Sequence, residues 1–273
     1  MDNPWLTVLM PAYNEATGLE GSVSQVIARL RQLQVPSEIL IIDDCSTDRT
    51  GEVADTLAEY HAGDSTITVR VCHHERNQGI GGGMRTGIAE SRGQWLILIP
   101  ADLAMDLADL DKYLNAAPSA DIVVGIRSNR RDYTIRRRLV SSVNIGLIRF
   151  LFHMKLHQFQ YISMYRLTVL RNMSIQCWRS AFFHAEILIT ARDLGYRLAE
   201  VEIHYLPRAS GNATGASWRL VARTGRDMLL YWARWIARSP SGLWAKEPVA
   251  EAATVQDAGD RAAQWNELTN ARR

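Results

Sequence analysis

The side chain with the plainest chemical promise is Asp102. The stretch Trp95-Leu-Ile-Leu-Ile-Pro-Ala-Asp102 is apolar without alternation and stops at one carboxylate. A parallel strand covered by helices on both faces reads this way, and its carboxyl end is where an α/β sheet binds ligands. Taken alone, Asp102 reads equally well as a turn residue. A second pair of carboxylates, Asp43 and Asp44, follows the apolar run Ile39-Leu-Ile-Ile42, where an Asp accepts hydrogen bonds from a base or ribose. Ser46 and Asp48, just beyond, read first as caps of the next helix. Gly79, Gly81, Gly82, Gly83 and Gly87 open a further helix. The first strand carries no dinucleotide loop, so these glycines indicate close backbone approach, for tight packing or for bringing amides to a diphosphate.

These residues need a frame. Strands are expected at Leu6–Met10, Glu38–Ile42, Ile67–Val71, Trp95–Ile99, Asp121–Gly125 and Arg197–Ile203. Helices are expected from about Leu19 to Leu33, Thr50 to Tyr60, after Gly83 to Ser91, Asp106 to Leu114, Leu139 to Phe152, Phe182 to Gly195 and Ser217 to Ile236. Strands alternating with helices at this spacing predict a doubly wound, mostly parallel α/β sheet. The polar clusters then share its carboxyl edge. Residues 1–210 read as one domain, 211–238 as a flexible loop with an amphipathic helix, and 239–273 as a polar, poorly ordered tail with one short helix near Trp265.

The 273 residues are 47% hydrophobic and 22% charged, enough for an ordinary core. A net charge of +2 argues against a nucleic-acid binder. Cys45, Cys72 and Cys177 are odd in number and lack metal-ligand spacing, so they read as reduced, mostly buried thiols of a cytoplasmic protein. Met1-Asp2-Asn3-Pro4 does not read as a signal peptide, and no apolar run approaches the roughly 18 residues of a spanning helix.

Between residues 127 and 171 the charge changes character, with ten arginines and lysines opposed by Asp132 alone. Within this stretch Leu139–Phe152 forms an amphipathic helix with a wide apolar face, which suits either an anionic membrane surface or a core. Trp218, Tyr231, Trp232 and Trp235, interleaved with arginines, suit a membrane interface or a protein interface.

Four segments in order, Val8-Leu-Met-Pro-Ala-Tyr-Asn-Glu15, Ile41-Ile-Asp-Asp-Cys-Ser-Thr-Asp-Arg-Thr50, Asn77-Gln-Gly-Ile-Gly81 and Pro100-Ala-Asp102, resemble the inverting glycosyltransferases of family two, with the GT-A fold. Within that superfamily the chain looks most like the dolichyl-phosphate and undecaprenyl-phosphate sugar transferases, over roughly residues 5 to 235. The resemblance implies that Pro11, Tyr13, Asn14, Glu15, Asp43 and Asp44 hold the nucleotide of a UDP- or GDP-linked sugar donor, with Asn77, Gly79 and Ala101 beside it. It makes Asp102 the ligand of Mg²⁺ or Mn²⁺ on the diphosphate. The family motif there is usually Asp-x-Asp, and this chain has Pro100 in place of the first Asp and Ala104 where a Gln often follows. The resemblance further gives Arg127 and Arg208 as phosphate contacts, Arg208 opening a loop, Pro207–Gly215, that closes on the donor. Arg138, Ser141 and Asn144 are implied as contacts of a polyprenyl phosphate acceptor. Glu186 is expected on the acceptor side, with His184 as a secondary candidate. The segment Phe159–Arg166 lacks the family's Asp and Gly-Phe.

Two acceptor classes stand at this point. A phosphate is already ionised and needs no base, whereas a hydroxyl would make Glu186 or His184 the base. A degenerate, nucleotide-binding non-enzyme is a third reading. The expected location is the cytoplasm, on the cytosolic membrane face if the acceptor is a lipid.

Overall fold

The computed structural model describes residues 4–128, 135–159, 162–206 and 218–238. Seven strands form one sheet: β1 Leu6–Ala12, β2 Ser37–Asp43, β3 Ile67–His73, β4 Trp95–Leu98, β5 Ile122–Arg127, β6 Ser163–Arg166 and β7 Leu198–Ile203. Their spatial order is β3-β2-β1-β4-β6-β5-β7. All neighbours are parallel except β6, which runs antiparallel to both β4 and β5. The six longer apolar runs became strands as expected. β6 was not expected, because four residues, Ser-Met-Tyr-Arg, are too few to show a period.

Side chains of successive strand residues point to opposite faces, so one sheet feeds two cores. Leu6, Val8 and Met10 of β1 join the core under α1 (Leu19–Gln32), α2 (Thr50–Tyr60) and α4 (Leu110–Ala116). Leu9 joins the core under α3 (Gly79–Glu90), α5 (Ile135–Phe152), α6 (Leu167–Arg171), α7 (Phe183–Asp193) and α8 (Trp218–Arg238). Helix α1 shows why these segments fold as they do, since Leu19, Val23, Val26, Ile27 and Leu30 recur at helical spacing and are all buried.

The α3 glycines serve packing. A Cβ on Gly81 would lie 1.8 Å from the Trp178 carbonyl oxygen, and one on Gly87 would lie 2.4 Å from Leu9 Cδ2. No other residue permits this approach.

Three of the four aromatic residues expected at an interface on α8 instead dock the helix. Tyr231 hydroxyl lies 3.1 Å from Thr190 Oγ1, Trp232 Nε1 donates to Leu151 O (3.1 Å) and Trp235 Nε1 donates to Asp193 Oδ2 (2.6 Å). Their rings gather around Phe152, with centroids 5.8 Å (Tyr231) and 5.6 Å (Trp235) away. Burying an aromatic ring while its polar atom finds a partner outweighs what exposure would offer. Only Trp218 is left in the open, at 67% exposure. The cysteines also depart from expectation, being free but half-buried rather than buried. The Pro207–Gly215 loop with Arg208, and the 239–273 tail with Trp265, lie outside the described residues.

Candidate active site

The parallel register sets the site. Ala12 pairs with Asp43, Asp43 with His73, and the Ala101 amide reaches Pro11 O at 3.4 Å. Asp102 therefore emerges one residue past the line on which β1, β2 and β3 end. Just beyond these ends Asn14 (φ 56°), Cys45 (φ 61°) and Leu103 (φ 45°) adopt left-handed backbone. Asn tolerates this region, whereas Cys and Leu are strained there by about 1–3 kcal/mol each. Strain of this kind persists only where surrounding bonds enforce it.

Those bonds are present. Asn14 Oδ1 accepts from the Thr47 amide (2.8 Å), the Asn14 amide donates to Ser46 Oγ (3.1 Å) and the Glu15 amide to Thr50 Oγ1 (2.8 Å). Asp48 accepts from the Thr50 amide (2.9 Å), as expected at a helix start, and also from Ala16 (3.2 Å). Ser46 does not cap α2; it ties the first loop to the second. Behind Asp102, Ser22 Oγ donates to Ala101 O (2.6 Å) and the Leu103 amide to Pro100 O (3.0 Å). Ala101 is 3% exposed, so only its backbone can serve a ligand.

Two histidines that sequence reading missed organise the β2 carboxylates. His73 Nδ1 lies 3.0 Å from Asp43 Oδ2, and its Nε2 lies 3.0 Å from Asp55 Oδ1. Burial pushes the Asp43 carboxyl up, but the Ser46 and His73 hydrogen bonds outweigh it and hold it below its ordinary value. The two carboxylates in turn raise His73. Asp44 is bound more completely: it accepts from the Gln78 amide (2.8 Å) and the Gly79 amide (2.7 Å), and His74 Nδ1 lies 2.7 Å away. Thr86 Oγ1 lies 2.8 Å from the far nitrogen of His74. Two roles were expected for the α3 glycines, and Asp44 takes up the Gln78 and Gly79 amides at the helix start. The adjacent pair His73-His74 at a strand end was the only available signal.

The carboxyl edge brings together Pro11, Tyr13, Asn14, Glu15, Asp43, Asp44, Asn77, Gly79, Ala101, Asp102 and, at the end of β5, Arg127. Tyr13, Asn14, Asn77 and Gly79 are exposed there, and Glu15 and Asp102 are partly covered. Arg127 is 6% exposed; its backbone exchanges hydrogen bonds with the Gln158 amide (3.0 and 3.1 Å), and its guanidinium lies 4.2 Å above the Tyr205 ring. Tyr205 bridges to Met105, and the Leu206 amide donates to Ala104 O at 3.1 Å. Leu206, the last described residue before Arg208, thus sits beside Ala104, two residues past Asp102. On α5, Arg138 is exposed while Ser141 and Asn144 are half-covered.

Glu186 was expected on the acceptor side. It is fully buried, and its two oxygens accept from the amides of Gln176 and Cys177, each at 2.8 Å. A carboxylate clasped this way shapes the 172–182 loop and is not presented to the cleft. Burial raises its pKa against those bonds. His184 is also buried, and burial pushes it down to about 3, so it is neutral at ordinary pH.

Among the described residues, no three His, Cys, Asp or Glu side chains are placed to hold a metal by themselves. At Asp102 the protein offers one carboxylate, a hard oxygen donor. That fits a divalent cation completed by diphosphate oxygens and water.

Comparisons with known proteins bear on the fold and the family. The undecaprenyl-phosphate 4-deoxy-4-formamido-L-arabinose transferase of Pseudomonas paraeruginosa is 29% identical over 218 residues, covering 79% of this chain and 62% of the relative. Glycosyltransferase AglD of Haloferax volcanii is 29% identical over 216 residues, 74% of this chain and 33% of the relative. The chain thus spans less than two thirds of the length of either. Among solved structures, Mycobacterium tuberculosis glucosyl-3-phosphoglycerate synthase, crystallised with Mn²⁺, UDP-glucose and phosphoglyceric acid, superposes with a TM-score of 0.64 at 17% identity, covering 84% of this chain and 80% of that one. The fold is therefore GT-A. With residues 7–190 matching its family model, a span that holds β1 to β4, Asp102 and Glu186, the chain belongs to glycosyl transferase family 2.

Proposed function

We propose that the chain is a glycosyltransferase that moves a sugar from a nucleotide diphosphate to a polyprenyl phosphate at a membrane face. The clasped state of Glu186 is the observation that favours a phosphate acceptor. With Glu186 and His184 both buried, α7 offers the cleft no base, and an acceptor that arrives ionised needs none. The names of the relatives support the same class.

In this reading Asp43 and the Asn14 turn hold the base and ribose, UDP or GDP. Asp102 with the diphosphate holds Mg²⁺ or Mn²⁺, which when bound neutralises leaving-group charge. Arg127 supports the phosphates from β5, and Arg208 is a further phosphate contact. An acceptor phosphate oxygen, guided by Arg138, Ser141 and Asn144, attacks the anomeric carbon in line. The bond to the diphosphate breaks, the configuration inverts and the nucleoside diphosphate leaves. Helix α5 supports the membrane location: Ile148 and Phe152 face the core, whereas Leu139 (65%), Val143 (53%), Leu147 (41%) and Phe150 (76%) form an exposed apolar stripe. No helix among the described residues is long and apolar enough to span a membrane.

The test is transfer of labelled sugar from UDP- and GDP-sugars to polyprenyl phosphate in detergent, with and without Mg²⁺ or Mn²⁺. Labelled lipid is expected with one donor base. Transfer only to soluble hydroxyl acceptors would overturn the reading.

A further inference from the structure

Between the 172–182 loop and α8 runs a groove walled by arginine. It comprises two adjoining cavities of about 500 and 680 Å³ that share Gln176, Arg179 and Arg223. Arg76 and Arg85 contribute from the α3 side, and Arg226 and Arg234 from α8. The single carboxylate in the wall, Asp227, is held by Arg226 at 2.9 Å.

The other arginines hydrogen-bond only to neutral groups, although Arg234 also feels the charge of the buried Glu186 behind the wall. Arg223 donates to Arg179 O (3.5 Å), Arg234 to Gln176 Oε1 (2.7 Å) and Arg85 to Gln78 Oε1 (3.1 Å). Among the described residues these three, with Arg76 and Arg179, form no ion pair. Like charges gathered in a concave wall repel one another, and an anion relieves that repulsion; a guanidinium fork fits phosphate oxygens in particular. The rim indicates what carries the phosphate. Leu230 lines the groove at 48% exposure, and Leu229 (54%) and Ile236 (43%) are exposed on a neighbouring face of the same helix. A charged seat on a helix that also exposes apolar side chains matches a headgroup below an acyl phase.

The α3 end of this groove is lined by Asn77 and Gly79 of the donor edge, whereas its α8 end, between Arg179, Arg223 and Arg234, holds no donor residue. We infer that the α8 end seats the phosphate headgroup of an anionic membrane phospholipid and so fixes the enzyme to its membrane. The inference rests on the proposed function only in placing the protein at a membrane. Arg179, Arg223 and Arg234 carry it, and each contributes about fivefold to membrane partitioning at low salt.

The full chain is sedimented with phosphatidylcholine vesicles that contain phosphatidylglycerol, polyprenyl phosphate or neither. The wild type is compared with an Arg179→Gln/Arg223→Gln/Arg234→Gln variant and with an equal charge loss at Arg31, Arg49 and Arg197, whose guanidiniums are paired to Asp64, Glu52 and Asp121. UDP and GDP titration checks that each protein is folded and that the donor site is intact. The expected result is strong, salt-sensitive binding to phosphatidylglycerol vesicles that falls about 100-fold in the groove variant and far less in the control. Equal binding by the groove variant and wild type overturns the groove while leaving the membrane reading intact. Loss confined to polyprenyl phosphate vesicles, or loss of nucleotide affinity, assigns the groove to substrate and overturns the inference. No vesicle binding by the wild type overturns the inference and the membrane placement together.

Discussion

The two ends of the sheet hold their carboxylates differently. At the amino end, Glu38 is fully buried and accepts from Thr7 Oγ1 (2.6 Å), Arg70 Nη1 (3.1 Å) and the Arg92 amide. Asp121 sits between Arg197 (3.3 Å) and Arg166 (3.4 Å). Burial raises the Asp121 carboxyl, and the Arg197 bonds with both guanidinium charges outweigh it and hold it low. A guanidinium is charged at every working pH and fixes its carboxylate permanently. At the carboxyl end, Asp43 and Asp44 are held by histidines and backbone amides, and left-handed residues turn the loops outward. One end is closed for stability, and the other is strained and titratable, as a ligand edge must be.

Breaking one end should not mimic breaking the other. Asp102→Asn should cost the largest effect, a loss of about 10²–10³-fold in transfer, because it removes the one carboxylate at the β4 edge. Its unfolding midpoint should stay near wild type, and added Mn²⁺ should recover little. Equal transfer by wild type and variant would remove Asp102 from the site. Glu38→Ala should do the reverse. It strands the Thr7 hydroxyl and the Arg92 amide and leaves Arg70 to Glu90 alone (3.5 Å), and should destabilise the fold by about 3 kcal/mol in urea unfolding. Activity per folded molecule should be unchanged. A protein as stable as wild type would show that the amino end is not the fastening it resembles.

The Asp43–His73–Asp55 chain gives the smaller, pH-dependent contrast. His73 is raised, so its attraction to both carboxylates is complete below its ordinary pKa of about 6.5 and fades as pH rises through the raised value. Asp43 is lowered, so its share is complete above the ordinary carboxylate range and fades only as pH falls through the lowered value. Nucleotide affinity should therefore weaken on the alkaline side by about two- to fivefold, the scale of a partly exposed pair. In His73→Gln that step should vanish. An alkaline step that survives in the variant would belong to another group.

Much of this contrast was legible in the sequence, for a physical reason. Strands buried on both faces are written as unbroken apolar runs, so Asp43, Asp44 and Asp102 announce themselves by where those runs stop. The partners of those carboxylates come from register, which no local pattern encodes. His73 meets Asp43 only because β3 pairs with β2 in parallel at that residue. β6 was hidden by its length. On α8, Tyr231, Trp232 and Trp235 read as an interface because periodicity shows which residues share a face but not what covers it.

Glu186 is the sharpest case of that limit and gives the smallest expected effect on turnover. The family resemblance makes this acid an acceptor-side candidate, and a base if the acceptor is a hydroxyl, yet its oxygens lie 2.8 Å from two loop amides and its exposure is zero. Gln at this position keeps the shape and one acceptor, but its NH₂ faces the second amide, donor against donor. That should cost about 1–3 kcal/mol of stability. Turnover per folded molecule should stay within about twofold of wild type, since no proton passes through the side chain. A base would lose far more, about 10²-fold or greater, with a changed pH profile. Measuring kcat against pH beside the unfolding curve separates a clasp from a base, and a large fall in kcat at intact stability would return Glu186 to the chemistry and a hydroxyl to the acceptor.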